Sequence, residues 1–254
     1  MRLVCFPHAG GSAGYFHPVA QALAPKVEVL AAQYPGRQDR YREPCVDSVQ
    51  ELARLGALAL RDWDDRPFAL FGHSLGAMVA YEVARHFAAA GGDGPVHLFV
   101  SGRRSPTCHR AESVHRLSDD ALIAEVMALG GTNPQVLADP ETRSLVLPAL
   151  RSDYRAAETY RHGPGAAVRC PVTALTGDAD PRTSLEEAAA WQEHAPAGGF
   201  ELLVFGGDHF FLNGKADDVV AALRERLSTF TTLRRRAPGR DATATAHQLG
   251  ENDR

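Results

Sequence analysis

Cysteine is scarce: four residues in 254, at positions 5, 45, 108 and 170. None is spaced as Cys-x-x-Cys or grouped with other metal ligands, which excludes a disulfide framework and a metal-binding cluster as organising features. Cys5 and Cys170 fall at or beside apolar runs and read as small core residues. An excess of positive charge is missing as well. The formal net charge is −4, which argues against a general nucleic-acid binder. No apolar run approaches the roughly 18 residues of a membrane helix. The first apolar run, Leu3-Val4-Cys5-Phe6, is too short for a secretory leader and has no cleavage site behind it. A cytoplasmic location is expected, with no membrane, nucleic acid, metal or cofactor among its partners. Internal repeats are absent.

Apolar residues are plentiful, at 44% of the chain, enough for one large core. Six short runs read as strands: Leu3–Phe6, Val27–Gln33, Phe68–His73, His97–Arg103, Val172–Gly177 and Phe200–Gly206. Helical patterns separate most of them, over Tyr15–Leu23, Ser48–Trp63, Ala77–Ala90, Ser184–His194 and Ala216–Phe230. In the second, Leu52, Leu55, Leu58 and Ala59 are expected on the buried face. Near-continuous apolar strands alternating with helices specify a parallel sheet covered on both faces. Residues 105–165 break the rhythm. Ser118–Gly130 and Pro140–Tyr160 carry helical spacing, with Asn133–Leu137 between them, and no strand is apparent. This stretch reads as a helical lid inserted over the sheet's C-terminal edge, within a domain spanning 1–230. Residues 231–254, from Thr-Thr-Leu-Arg-Arg-Arg onward, lose apolar periodicity and read as a disordered tail.

The chain is organised around Gly72-His73-Ser74-Leu75-Gly76, between a strand and a helix. Gly-x-Ser-x-Gly in that context is a nucleophile elbow. The serine sits on a sharp turn that lifts its hydroxyl clear of the backbone, and the helix aims its positive end at the site. A serine needs a base, and His209 follows the last strand in Gly206-Gly207-Asp208-His209. It would take the Ser74 proton and return it to the leaving group. The acid should leave the preceding strand, in Gly177-Asp178-Ala179-Asp180-Pro181. A Gly-x-x-Asp spacing, usual in hydrolases of this type, selects Asp180 over Asp178. Asp208 adjoins His209, and adjacent side chains diverge. Two backbone amides must receive the oxyanion. One is Leu75, after the nucleophile; the other is Ala9, in the Gly-rich loop Phe6-Pro7-His8-Ala9-Gly10-Gly11.

Together, Phe6-Pro-His-Ala-Gly-Gly, Tyr34-Pro-Gly-Arg, Phe71-Gly-His-Ser-Leu-Gly, Ser152-Asp-Tyr-Arg, Thr176-Gly-Asp-Ala-Asp-Pro and Gly206-Gly-Asp-His-Phe-Phe-Leu resemble the type II thioesterases of polyketide and nonribosomal-peptide assembly lines. The resemblance runs in order over about residues 3–230 and implies an α/β-hydrolase fold with a helical lid. It also implies hydrolysis of aberrant or stalled acyl groups from the phosphopantetheine arm of an acyl or peptidyl carrier protein, by a monomer. The family's serine, acid and histidine fall on Ser74, Asp180 and His209, and its oxyanion donors on Ala9 and Leu75. Gly207-Asp208 departs from the two glycines that often precede the histidine.

The residues alone lead to a serine hydrolase and leave a small-molecule carboxylesterase or lipase-like enzyme as the alternative. Carrier proteins are acidic around the arm, so a net-negative enzyme needs a local basic patch. Arg37-Gln38-Asp39-Arg40-Tyr41-Arg42 and Arg103-Arg104 are the candidates, both expected at the rim that carries Ser74.

Overall fold

All six expected strands form, and they assemble into one parallel sheet. The computed structural model describes residues 1–63, 65–91, 94–131 and 139–236, with side chains as far as residue 229. The strands are β1 (Arg2–Phe6), β2 (Glu28–Ala31), β3 (Phe68–His73), β4 (Leu98–Ser101), β5 (Val172–Gly177) and β6 (Phe200–Phe205). Their order is β2-β1-β3-β4-β5-β6. The chain starts in the interior of the sheet, runs to one edge, then returns past β1 to build the other half. That reversal lies between β1 and β3, where loops leave in opposite directions and a crevice opens at the carboxyl ends. Phe6 pairs with Gly72 there, so the loops carrying Ala9 and Ser74 leave side by side.

Alternation along the strands sends neighbouring side chains to opposite faces. Val4 and Phe6 join one core with Leu52, Met78 and Trp191. Leu3 and Cys5 join the other with Phe71, Phe99 and Leu223. The helices that cover these faces are α1 (His17–Leu23), α2 (Val49–Leu60) and α3 (Leu75–Ala90), then α6 (Leu185–Ala189), α7 (Phe211–Gly214) and α8 (Ala216–Arg236). In α2 the buried stripe is Val49, Leu52, Ala53 and Leu60, whereas Leu55 and Leu58 are exposed. The expected face is therefore rotated. Gly56 explains this, because its bare Cα lets the Phe6 ring approach closely on the Leu52–Ala53 side. β4 stops at Ser101 rather than Arg103, because Gly102 turns the chain at φ 56°.

Between β4 and β5 lie the two expected helices, α4 (Asp119–Ala128) and α5 (Pro140–Thr159). Ser118 and Asp139 cap them, each accepting from a backbone amide of the first turn. Leu122, Ile123 and Val126 of α4 pack on Leu150 of α5 in a small core of their own. The stretch Asn133–Leu137 lies outside the described residues. α8 continues to Arg236, six residues beyond the expected helix end at Phe230. Leu and Arg favour a helix even without an apolar repeat. Residues 237–254 of the expected tail lie outside the described residues. No helix of the described residues is long and apolar enough to cross a membrane, and all four cysteines are free thiols.

Candidate active site

Ser74 occupies a backbone conformation that only glycine adopts at ease, φ 54° and ψ −114°. Such strain costs roughly 1–3 kcal/mol and persists only where the surroundings impose it. Here they do. The Ser74 amide donates to the Ser101 carbonyl at 2.8 Å, and its own carbonyl accepts from Ala77 at 3.1 Å. The flanking glycines have no room for a side chain: a Cβ on Gly72 would overlap the Gly76 carbonyl, and one on Gly76 the Phe6 carbonyl. The elbow is thus clamped between its own helix and β1.

His209 stands after β6 and Asp180 after β5, brought together because the two strands pair to their ends, Gly177 with Phe205. Asp180 accepts from His209 Nδ1 at 2.9 Å through Oδ2. Its Oδ1 accepts from the Arg182 amide at 2.8 Å. Both side chains are almost wholly buried. Asp178 instead accepts from the Gly207 amide at 2.9 Å, and Asp208 from the Phe210 amide at 2.8 Å. Neither contacts the imidazole. With Nδ1 engaged, Nε2 is the nitrogen left for the cavity.

That cavity, about 60 Å³, is lined by Ala9, Ser74, Leu75 and His209 on the sheet side and by Val126 and Tyr154 of α4 and α5 on the other. The Ser74 hydroxyl makes no side-chain hydrogen bond among the described residues, as is common before substrate arrives. The amides of Ala9 and Leu75 donate to no described residue either. Leu75 is the first residue of α3, where helix geometry leaves the amide without an internal acceptor.

Two further imidazoles flank His209. His73 packs 5.2 Å from it, centroid to centroid, and shares a hydrogen bond with Ser101 Oγ at 3.1 Å. His8 lies against Tyr15, His73 and Phe210. Burial first, then His209, holds the pKa of His73 well below the ordinary value, and the same order of causes takes His8 to about 3. Both stay neutral at neutral pH, so neither neighbouring imidazole competes with a charge forming on His209.

Sequence reasoning missed the residue that holds the Ala9 loop. Asp153 of α5, fully buried, accepts from the Gly10 amide at 2.8 Å and from both Nη atoms of Arg37 at 2.6 and 2.8 Å. Arg37 Nη1 also reaches the Gly11 carbonyl at 3.1 Å. The only signal was Asp153 within Ser152-Asp-Tyr-Arg, a pattern noted without a role. Removing one partner of a buried ion pair leaves the other uncompensated. Asp153→Ala is therefore expected to lower stability by roughly 3–5 kcal/mol, read as the urea unfolding free energy. A loss within 1 kcal/mol, about the scale of an exposed pair, would contradict this.

The same contacts correct the expected basic patches. Arg37 is buried on Asp153, and Arg40 is bound to Glu43 at 2.7 Å and to the Gln33 carbonyl at 2.7 Å. Arg104 is buried against Glu112, and Arg103 lines the cavity. These arginines serve loops and the site wall. Arg42, on the Tyr41 hydroxyl at 2.9 Å, is the one that stays exposed without a carboxylate among the described residues.

The Thioesterase domain family matches residues 1–227. Thioesterase PikA5 of Streptomyces venezuelae is 49% identical over 228 residues, covering 89% of this chain and 81% of PikA5. Among solved structures, the type II thioesterase BorB from the borrelidin biosynthetic cluster has a TM-score of 0.82 at 49% identity, covering 89% of this chain and 92% of BorB. RedJ, a thioesterase from the prodiginine biosynthetic pathway in Streptomyces coelicolor, has a TM-score of 0.82 at 40% identity, covering 88% of this chain and 84% of RedJ.

Proposed function

We propose that this chain, which belongs to the thioesterase domain family, cleaves acyl thioesters through a covalent acyl-enzyme on Ser74. Its role is that of the type II thioesterases of polyketide and nonribosomal-peptide pathways, clearing acyl groups from assembly lines by hydrolysis. The observation that carries the mechanism is the His209–Asp180 pair, 2.9 Å apart, opening onto the cavity of the strained Ser74.

In the first half-reaction Ser74 Oγ attacks the thioester carbonyl while His209 Nε2 takes the hydroxyl proton. Asp180 keeps the proton on Nδ1 and stabilises the imidazolium. The carbonyl oxygen gathers negative charge and receives the amides of Ala9 and Leu75, donors fixed before the reaction starts. Collapse of the tetrahedral species breaks the C–S bond, and the imidazolium proton goes to the departing sulfur. In the second half a water replaces the thiol, His209 takes its proton, and the free acid leaves as Ser74 recovers its own. No metal or cofactor enters. α4 and α5 form a roof that encloses the acyl group and limits water around the intermediate. The thiol is the arm of a carrier protein.

Carrier protein loaded with an acyl group should return to the free-thiol form when the enzyme is added, lighter by the acyl mass in mass spectrometry. The matching oxygen ester of a small alcohol should turn over far more slowly. Rapid cleavage of the ester with the loaded carrier left intact would favour a carboxylesterase and overturn the reading.

A further inference from the structure

The wall of the Ser74 cavity holds more charge than hydrolysis requires. Arg104 and Arg182 both bind Glu112, and Arg182 also binds Glu125. Glu158 accepts from the amides of Val114 and His115, at 2.8 and 3.1 Å, and from the His115 ring. Every one of these groups is matched. Arg103 is not. Among the described residues its side chain makes one hydrogen bond, from Nη2 to the Ala157 carbonyl at 3.0 Å. Its Nε is buried with no acceptor, and it forms no ion pair with a described carboxylate.

Its position follows from Gly102, where a Cβ would overlap the His73 ring and approach Cε1 of His209 at 3.5 Å. The next residue enters the cavity wall beside the catalytic imidazole. A buried N–H without an acceptor is costly, and so is a cation without a counter-charge. Burial and then Arg104 lower the Arg103 pKa to about 10, against the opposing pull of Glu112 and Glu158. The guanidinium stays charged at neutral pH and is left with donors to spare.

Around a thioester carbonyl on Ser74, the oxyanion faces Ala9 and Leu75, and the sulfur must lie near His209 to be protonated. The acyl chain is the remaining substituent. Its first carbons share the cavity with Arg103. The β carbon is the first whose oxygen clears the tetrahedral centre. We propose that Arg103 reads the acyl group, donating to an oxygen on the β carbon, so that β-oxygenated acyl thioesters are the preferred substrate class. This rests on Ser74 being the nucleophile. The acceptor is either a neutral keto or hydroxyl oxygen or the carboxylate of a carboxyacyl group.

The test compares wild type, Arg103→Met and Arg103→Lys on the N-acetylcysteamine thioesters of butyric, 3-hydroxybutyric, acetoacetic and malonic acids. Wild type should favour at least one oxygenated thioester over butyryl by about tenfold or more in kcat/KM, the scale of one hydrogen bond from a charged donor. Arg103→Met should bring that ratio close to one, and Arg103→Lys should restore part of it. A preference for malonyl identifies the carboxylate as the group read; a preference for acetoacetyl or 3-hydroxybutyryl identifies the neutral oxygen. No preference in wild type, or the same ratio in Arg103→Met, would overturn the proposal. An equal loss on all four substrates would assign Arg103 to holding the Ala157 carbonyl of α5, and would overturn it too. Failure of wild type on every thioester would instead refute the thioesterase mechanism itself. Unfolding midpoints of the variants show that the ratios come from folded enzyme.

Discussion

Ser74→Ala is expected to lower kcat on an acyl-carrier substrate by about a million-fold, and His209→Ala by a similar factor, because nucleophile and base act as one unit. The double variant should be no worse than either single one. What survives is the roughly 10³–10⁴-fold advantage over water that oxyanion donors and binding supply alone. The fold should not register the change at Ser74. Its hydroxyl makes no side-chain hydrogen bond, and alanine at φ 54° bears the same strain as serine. Single-turnover kinetics together with the thermal midpoint check both halves. A variant that keeps a tenth of wild-type activity would refute the assignment. A collapsed midpoint would mean that activity was lost through unfolding.

Asp180→Asn is expected to cost about 10⁴ in kcat. The amide can offer its oxygen to His209 Nδ1 or present its N–H. In the second arrangement the ring proton moves to Nε2, where it blocks acceptance of the Ser74 proton. Asp178→Asn should change kcat by less than about tenfold, the scale of a single neutral hydrogen bond. It retains an oxygen for the Gly207 amide, and His209 Nδ1 is engaged by Asp180 instead. Side-by-side rates at saturating substrate decide the matter, and an inverted order would move the acid to Asp178.

The sheet was legible because its four inner strands are buried on both faces and so appear as unbroken apolar runs, and the two edge strands, though partly exposed, keep apolar cores. Ser74, Asp180 and His209 were legible for a related reason. In a parallel sheet, residues just past the carboxyl ends of successive strands gather at one rim, and their order along the chain follows. The arginines were not legible. A run of charge announces itself in sequence, but the direction of each side chain depends on distant partners. Arg37 turns inward because Asp153 awaits it from a helix that follows β4 in the chain, 116 residues away. Arg104 does the same for Glu112. The face of α2 failed on packing detail: Leu55 and Leu58 fit the helical period, yet the ring of Phe6 approaches at Gly56 and leaves both leucines outside.

Asp153 has a mechanical consequence. Its carboxylate lies on α5, yet it anchors the Gly10 amide, one residue from Ala9, and the guanidinium that braces Gly11. A hinge motion that swung this part of α5 outward would strip Gly10 of its acceptor and shift the loop that carries Ala9 as it opened. The end of the roof over the Ala9 loop is therefore a fixed abutment. α4 is joined to the rim through Arg182–Glu125 and to α5 through Arg151–Asp119 and their shared apolar core, so it is tied to that abutment as well.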